Sequence, residues 1–564
     1  MLAFFWYTIG NVNITLTVYK GLVKYRMKLS LENLEKKVNW QGYRLPDYDI
    51  QAMREKTHEN PTWLHFGAGN IFRAFPAVLV QRMLTAGLTD KGIICCEAYD
   101  EEIIDRAYRP FDNLSLCVTL YADGALKKEV VGSVAESLKL SVDTDRVAEI
   151  FCNPSLQMVS FTITEKAYIL RDSENNYYAD VQEDMENGPD DCHSFMGKLA
   201  SLCLKRMHAC GTPLSLVSMD NCFNNGHRLQ RAMLEIINSW FQKSKIDGTE
   251  FAYLTGRISF PRTMIDKITP FPNPKIAAVL RADGLDMVKP VKTAKGSKVA
   301  CFVNTESPQY LLMEDVFPNG HPPLEQLGII FTSGRIVEKS MEMKACSTLN
   351  PMDTAMAAFG SLLGYETINC TVRDEDICTF ITNLSHQECM PLGADPGVLD
   401  PDEFVHEILT VRYPNPYLND TCARIMTDTS RKVSTRYGVI LSNYYNSPVP
   451  MHRVSHLRFI PLAIAAWLRY LIGVDDNGDP LELSPDPLLE SLQRKLSGIK
   501  LGGEATYEQL YPILSDRTLF GLNTFEVGCG ERIIDFFNQM IAGPGAVRAT
   551  LHRYCNDKDT DLLI

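Results

Sequence analysis

The strongest chemistry-bearing pattern in the chain is His65-Phe66-Gly67-Ala68-Gly69-Asn70-Ile71-Phe72-Arg73. Two glycines at this spacing, between an apolar run and a helix-forming stretch, suit the pyrophosphate of a dinucleotide. Gly67 permits a tight turn and Gly69 lets the backbone, including that of Phe66, come close to the phosphates. Asn70 and Ile71 then present free N–H groups at the positive end of a helix dipole. Phe72 stands where the fingerprint has its third glycine, which predicts looser packing of helix on strand. Glu97 and Asp100 follow the next apolar run. Either carboxylate can accept from an adenosine ribose, which favours NAD over NADP. Taken alone, the glycines also make an ordinary strand–helix turn.

Metal chemistry has little to stand on. His386-Gln-Glu-Cys389 offers two donors, too few for a zinc site, and neither an HExxH pattern nor a paired Cys-x-x-Cys accompanies it. The prediction is no metal. A formal net charge of −13 argues against a nucleic-acid surface, which needs excess positive charge. Basic runs such as that around Lys432 read as solvated faces or local anion contacts. The 16 cysteines are scattered, as in a reduced cytoplasmic protein.

The elements that must position a dinucleotide turn are legible. Between about Pro61 and Asp220, short apolar runs alternate with amphipathic stretches. Strands are predicted at Thr62–Phe66, Gly92–Cys96, Met158–Thr164 and Pro213–Ser218, with helices at 70–84 and 196–209 among them. That alternation predicts a mostly parallel, doubly wound α/β sheet of Rossmann type. After about Val337 a periodicity of three to four residues predicts helices at 353–363, 402–411, 421–437, 452–472, 486–496 and 531–540. Residues 292–332 read as a connection.

With 564 residues the chain is too long for one core. The expected division is an N-terminal extension over 1–58, a Rossmann-type domain over 59–332 and a mostly α-helical domain over 333–564. Residues 1–26 are apolar but interrupted by Asn11 and Asn13, with no signal-peptide pattern and too short an apolar stretch to span a bilayer. Met27 is the expected natural start, with a membrane anchor as the alternative.

Several further blocks appear in order: Thr162-Ile-Thr-Glu165-Lys166-Ala-Tyr168, Ser218-Met-Asp220-Asn221 with Asn225-Gly226, and Phe260-Pro-Arg-Thr-Met-Ile-Asp266-Lys-Ile-Thr-Pro270. Then come Glu314-Asp-Val-Phe-Pro-Asn-Gly-His-Pro-Pro323, Lys344-Ala-Cys-Ser-Thr-Leu-Asn350-Pro-Met-Asp353 and Arg458-Phe-Ile-Pro-Leu-Ala-Ile464. Together with residues 65–75 the set resembles the polyol-specific long-chain dehydrogenases, a family that includes mannitol 2-dehydrogenase and fructuronate (mannonate) reductase.

The resemblance implies a Rossmann-type domain and a helical domain with the active site between them. It implies an NAD-dependent, metal-independent interconversion of a secondary alcohol and a ketone on an open-chain sugar alcohol, ketose or hexonate. Lys344 matches the general base, and Asn221 and Asn350 match the two oxyanion-stabilising asparagines, whose amides donate without titrating. Glu165 falls in the block beside the cofactor. Asp220 and Asp266 would orient neighbours, with Asp266 at the substrate site. Asn350 also suits a helix N-cap before Pro351.

Two departures stand out. Asp353 occupies the position of a substrate-binding histidine, which makes an aldonate less comfortable and a neutral polyol more so. The Lys344–Asn350 spacing is one residue longer than the family's. Both raise a second reading, a catalytically weakened member that binds nucleotide or sugar. A cytoplasmic location, no stable membrane association and a monomer complete the expectations.

Overall fold

The computed structural model describes residues 3–8, 13–18, 27–418 and 420–556. Within 1–26 that means two paired strands, Ala3–Thr8 and Asn13–Val18. The expectation of a natural start at Met27 concerns a segment otherwise outside the described residues.

Six strands form the central sheet: β1 (Trp63–Phe66), β2 (Ile93–Glu97), β3 (Val134–Lys139), β4 (Met158–Phe161), β5 (Leu214–Ser218) and β6 (Ile258–Ser259). Every pairing is parallel, and the spatial order is β6-β5-β4-β1-β2-β3. This is the order 3-2-1-4-5-6 of dinucleotide-binding sheets, whose ligand crevice lies at the carboxyl edge between β1 and β4, where the winding reverses. Alternate residues serve opposite faces. Leu64, Phe66, Ile94 and Cys96 enter one buried cluster, and Trp63, Ile93 and Cys95 enter another. Both faces are covered, which is why these strands read as continuous apolar runs.

The sequence misses β3, whose Glu136, Ser137 and Lys139 dilute its apolar signal. It also misses two smaller sheets. One joins Phe302–Glu306, Ser115–Leu120, Leu126–Val131 and Tyr43–Arg44, and the other joins Thr263–Asp266, Tyr310–Glu314 and Ile330–Thr332. The stretch 292–332 therefore contributes three strands to these sheets. These sheets matter because Asp266 and Glu306 end two of their strands. Residues 27–58 pack closely on this half: Leu29 and Trp40 are buried beside Leu116 and Phe302.

Beyond Ser333 the chain is helical. Helix Phe459–Leu471 is buried along its whole length and packs against helices Leu349–Leu362 and Gly530–Ile541. The predicted helix over 70–84 is two helices, Asn70–Ala74 and Pro76–Thr85. Pro76 disfavours helical geometry at Phe75, which takes φ −130° and ψ −75°. The predicted helix over 421–437 is broken into Cys422–Met426, a short 3-10 turn at Thr429–Arg431 and a π turn at Ser434–Gly438. Asp428 sits at φ 55° and donates its backbone N–H to Pro485 O, which ends the first piece.

Candidate active site

Strand register brings the distant motifs to one edge. Phe66 pairs with Phe161, and Phe161 pairs with Ser218. Gly67, Thr162 and the run Met219-Asp220-Asn221 therefore leave the sheet side by side.

Gly67 has φ 110°, and a Cβ there would lie 2.6 Å from Thr162 O. Only glycine fits so close to the neighbouring strand. Gly69 is different: its φ is −73° and a Cβ would meet nothing within 4 Å. The turn is packed underneath and open above, at the first turn of helix Asn70–Ala74, as a phosphate cradle requires. Asn70 Oδ1 accepts from Arg73 Nη2 at 2.9 Å, and the buried Arg73 also donates to Ala300 O at 2.6 Å. Ile71 is half-buried beside it. Phe72 is fully buried and stacks on His65 at 4.6 Å. The expected loose packing at the missing third glycine is thus corrected, because the ring fills that space.

Other residues assigned to the cofactor lie less simply. The Phe66 ring is buried and stacks on Phe161 at 5.6 Å, leaving only its backbone at the turn. Glu97 is buried, and its two oxygens accept from the backbone N–H groups of Ala68 at 2.7 Å, Tyr99 at 3.0 Å, and Ala98 and Asp100 at 3.2 Å. Glu97 thus ties the glycine turn to the end of β2. Asp100 is buried and accepts from Thr293 Oγ1 at 2.7 Å. Glu165 is exposed and ion-paired with Arg228. Its neighbour Thr164 has φ 73°, and Asp220 holds that turn by accepting from Thr164 N at 2.9 Å, Ile163 N at 3.3 Å and Tyr168 Oη at 2.5 Å.

Lys344 comes from the helical half and is 2% exposed. Its Nζ donates to Asn221 Oδ1 at 2.7 Å and to Ile265 O at 3.0 Å, and lies 3.4 Å from Asp266 Oδ1. With its oxygen accepting from Lys344, the Asn221 amide has its Nδ2 left to donate elsewhere. Burial pushes Lys344 below the usual lysine range; Asp266 pulls it up and Arg412 pushes it down. Burial opposes the charge on Asp266, but Arg412 and Lys344 outweigh it and hold the carboxyl below its usual value.

The backbone at Lys344 departs from a regular α-helix. Residues Met343–Ser347 form a π turn between helices Gly334–Glu342 and Leu349–Leu362. A π turn absorbs one extra residue in a helix and recurs at functional sites. The segment from Lys344 to Asn350 runs through this turn. Asn350 is half-buried in the first turn of helix Leu349–Leu362, and its amide makes no hydrogen bond among the described residues. It is not the N-cap; Thr348 is.

Asp353 is half-buried and accepts from Tyr413 Oη at 2.7 Å. Burial pushes its carboxyl up to about 6, against the Tyr413 bond. The sequence overlooks what surrounds it. Arg436 and Arg424 lie within electrostatic reach of Asp353, and Lys432 within reach of both arginines. Lys432 is not on a solvated face; it is half-buried and donates to Thr427 O. Its signal was the basic run itself, which the broken helix brings within reach of Arg424 and Arg436. Among the described residues there is no cluster of metal ligands.

The fold and this site define a two-domain protein built around a dinucleotide-type sheet and an interdomain lysine. The model of the mannitol dehydrogenase Rossmann domain matches residues 61–326, and that of the mannitol dehydrogenase C-terminal domain matches residues 337–520. The chain belongs to the mannitol dehydrogenase family. It is 42% identical over 541 residues to the D-mannonate oxidoreductase of Thermotoga maritima, covering 94% of this chain and 100% of that one. To the mannitol 2-dehydrogenase of Emericella nidulans it is 28% identical, over 81% of this chain and 86% of the other. The structure of Pseudomonas fluorescens mannitol 2-dehydrogenase in a ternary complex with NAD and D-mannitol matches with a TM-score of 0.69 and 22% identity, covering 94% of this chain and 100% of that one. A substrate-free D-sorbitol dehydrogenase matches with a TM-score of 0.74 at 22% identity, over 91% and 98% of the two chains.

Proposed function

We propose that the chain is an NAD-dependent oxidoreductase that interconverts a secondary alcohol and a ketone on an open-chain hexonate, of the mannonate and fructuronate kind. The observation that carries the reading is the buried Lys344 amine, 2.7 Å from Asn221 Oδ1 at the sheet's carboxyl edge. That is the edge where the packed-below, open-above glycine turn gives a dinucleotide its place.

The residues that hold NAD are Gly67, Gly69, Asn70 and Ile71, with Glu97 shaping the turn rather than meeting the ribose. When bound, the nicotinamide supplies the redox chemistry by taking or returning a hydride. Lys344, in its neutral form, accepts the proton of the substrate hydroxyl. Asn221 Nδ2 and the unpartnered Asn350 amide donate to the oxygen as it gains negative charge. Asp266 lies 3.4 Å from Lys344 Nζ, held there by its closer contact with Arg412 at 2.7 Å.

The hexonate is favoured over a neutral polyol by the cationic group of Arg424, Lys432 and Arg436, which suits a carboxylate. Asp353 does not by itself argue against an acid substrate or for a weakened enzyme, because its carboxylate is engaged by Tyr413 and lies within electrostatic reach of Arg436 and Arg424. Kinship with a protein named as a mannonate oxidoreductase points the same way. The enzyme is further proposed to be a cytoplasmic monomer. Among the described residues no helix is long and apolar enough to cross a membrane.

The test is NADH oxidation with fructuronate, tagaturonate and fructose in parallel. Turnover is expected with a uronate and much less with fructose. Normal NADH binding with no turnover on any of the three would overturn the enzymatic reading, and preference for fructose would overturn the hexonate.

A further inference from the structure

Arg412 links the two halves of the molecule beneath the Lys344 amine. Its Nη2 donates to Asp266 Oδ2 at 2.7 Å and its Nε donates to Glu306 Oε2 at 2.9 Å. All three side chains are 6% exposed or less. Each is fixed by its backbone. Arg412 ends the π turn Ile408–Arg412, Asp266 ends strand Thr263–Asp266, and Glu306 ends strand Phe302–Glu306. Glu306 also accepts from the backbone N–H of Ile268 at 2.7 Å, so both its oxygens are engaged.

The two cations do not share Asp266 equally. Arg412 meets it at 2.7 Å and Lys344 only at 3.4 Å. A buried carboxylate at hydrogen-bond distance from an amine would favour the ammonium, which has no lone pair to accept a proton. Arg412 draws the carboxylate to itself and adds a second positive charge a few ångströms from Lys344. In a buried site both effects favour the neutral amine. We propose that Arg412 is a positioning residue that holds Asp266 off Lys344 and so keeps the amine in its proton-accepting form. The proposal rests on reading Lys344 as the base.

Other charges frame the pair. Asp353 faces Lys344 from helix Leu349–Leu362. The elements packed on the Lys344 turn bring Arg436, on Ser434–Gly438, and Glu388, on Leu384–Cys389. Glu388 accepts from the backbone N–H groups of Arg458, Phe459 and Ile460. Behind Arg412, Glu306 is faced by Lys267, and Lys267 by Arg82. Burial raises Glu306 above the carboxylate range and lowers Lys267 below the lysine range. Tyr310 and Tyr413 complete the surroundings of Arg412.

The experiment is the pH dependence of kcat/KM for alcohol oxidation, whose rising limb reports the base in the free enzyme. The enzymes compared are wild type, Arg412→Met, Arg412→Lys, Glu306→Gln and Lys344→Ala. Arg412→Met should move the limb up by about one pH unit or more, a loss of about tenfold at neutral pH that closes at high pH. Arg412→Lys should keep the limb near wild type. Glu306→Gln, which removes the anion behind Arg412, should move it down. An Arg412→Met enzyme slowed by the same factor at every pH makes Arg412 a structural strut and overturns the proposal. Should that variant fail to fold, an unmoved limb in Glu306→Gln overturns it instead. If Lys344→Ala is inactive while the limbs stay still, only this inference falls; if Lys344→Ala is fully active, the base assignment itself falls.

Discussion

Lys344 Nζ donates to Asn221 Oδ1 at 2.7 Å, joining two residues 123 positions apart. One comes from a π turn in the helical half and the other from the loop after β5. The contact orients the Asn221 amide as well as the lysine, because Asn221 is otherwise exposed and its Nδ2 is left to donate elsewhere. Asn221→Ala should therefore lower kcat by about 10²- to 10³-fold, the usual cost of losing an oxyanion donor. Stability and NADH affinity, measured by thermal unfolding and by fluorescence titration, should change little. An unchanged kcat would remove Asn221 from the chemistry.

The glycine turn makes a paired prediction. Gly67→Ala forces a Cβ to within 2.6 Å of Thr162 O at φ 110° and should destabilise the protein by about 1–3 kcal/mol. Gly69→Ala adds a methyl group to open space at an ordinary φ. It should leave the unfolding temperature unchanged while raising KM for NAD about tenfold or more, since the methyl stands where the pyrophosphate must approach. Equal effects of the two variants on stability and on KM would refute the cradle.

Asp353 predicts a pH dependence of stability. Its folded pKa of about 6 lies above its ordinary value of 3.8. A carboxyl raised on folding binds its proton more tightly in the native state. Its stabilising contribution is full below pH 3.8 and is lost as pH rises through about 6. Asn titrates nowhere and can still accept from Tyr413. Asp353→Asn should be more stable than wild type by about 1–3 kcal/mol at pH 7, with the difference shrinking towards zero near pH 4. Unfolding temperatures at the two pH values test this, and a difference that does not vary with pH would contradict it.

Much of the fold was legible because both halves announce their periods. The parallel strands are buried on both faces and read as apolar runs, and the helices of the second half keep a spacing of three to four. The accessory sheets were not legible. Phe302–Glu306 lies beside turn-rich sequence, and its fully buried Asn304, Thr305 and Glu306 look like surface residues. Gly67 could be located from residue type and spacing, whereas Asn221 and Lys344 could be located only through ordered motifs that resemble those of the family. Arg412 and Glu306 could not, since only the tertiary fold brings strand 302–306 under the turn at 412. Glu97 shows what sequence does not reveal: a carboxylate after β2 suggests a ribose contact, and the fold adds that its oxygens accept from backbone N–H groups of the glycine turn and of residues 98–100.

On the hexonate reading, Arg424, Lys432 and Arg436 would separate acid from neutral substrates. Lys432→Met should raise KM for fructuronate about tenfold, the order expected for one charge-assisted contact to a carboxylate. It should leave KM for fructose nearly unchanged. The ratio of the two kcat/KM values measures this directly, and an equal loss on both substrates would detach Lys432 from carboxylate recognition.

The central claim is that the Lys344 amine takes the substrate's proton, and turnover by Lys344→Ala tests it most directly. Rates on the preferred substrate are compared with wild type while NADH binding is followed by fluorescence. The expected result is a kcat lower by about 10²- to 10⁴-fold, the range for losing a general base, with NADH affinity close to wild type. A Lys344→Ala enzyme that turns over at the wild-type rate would contradict the account.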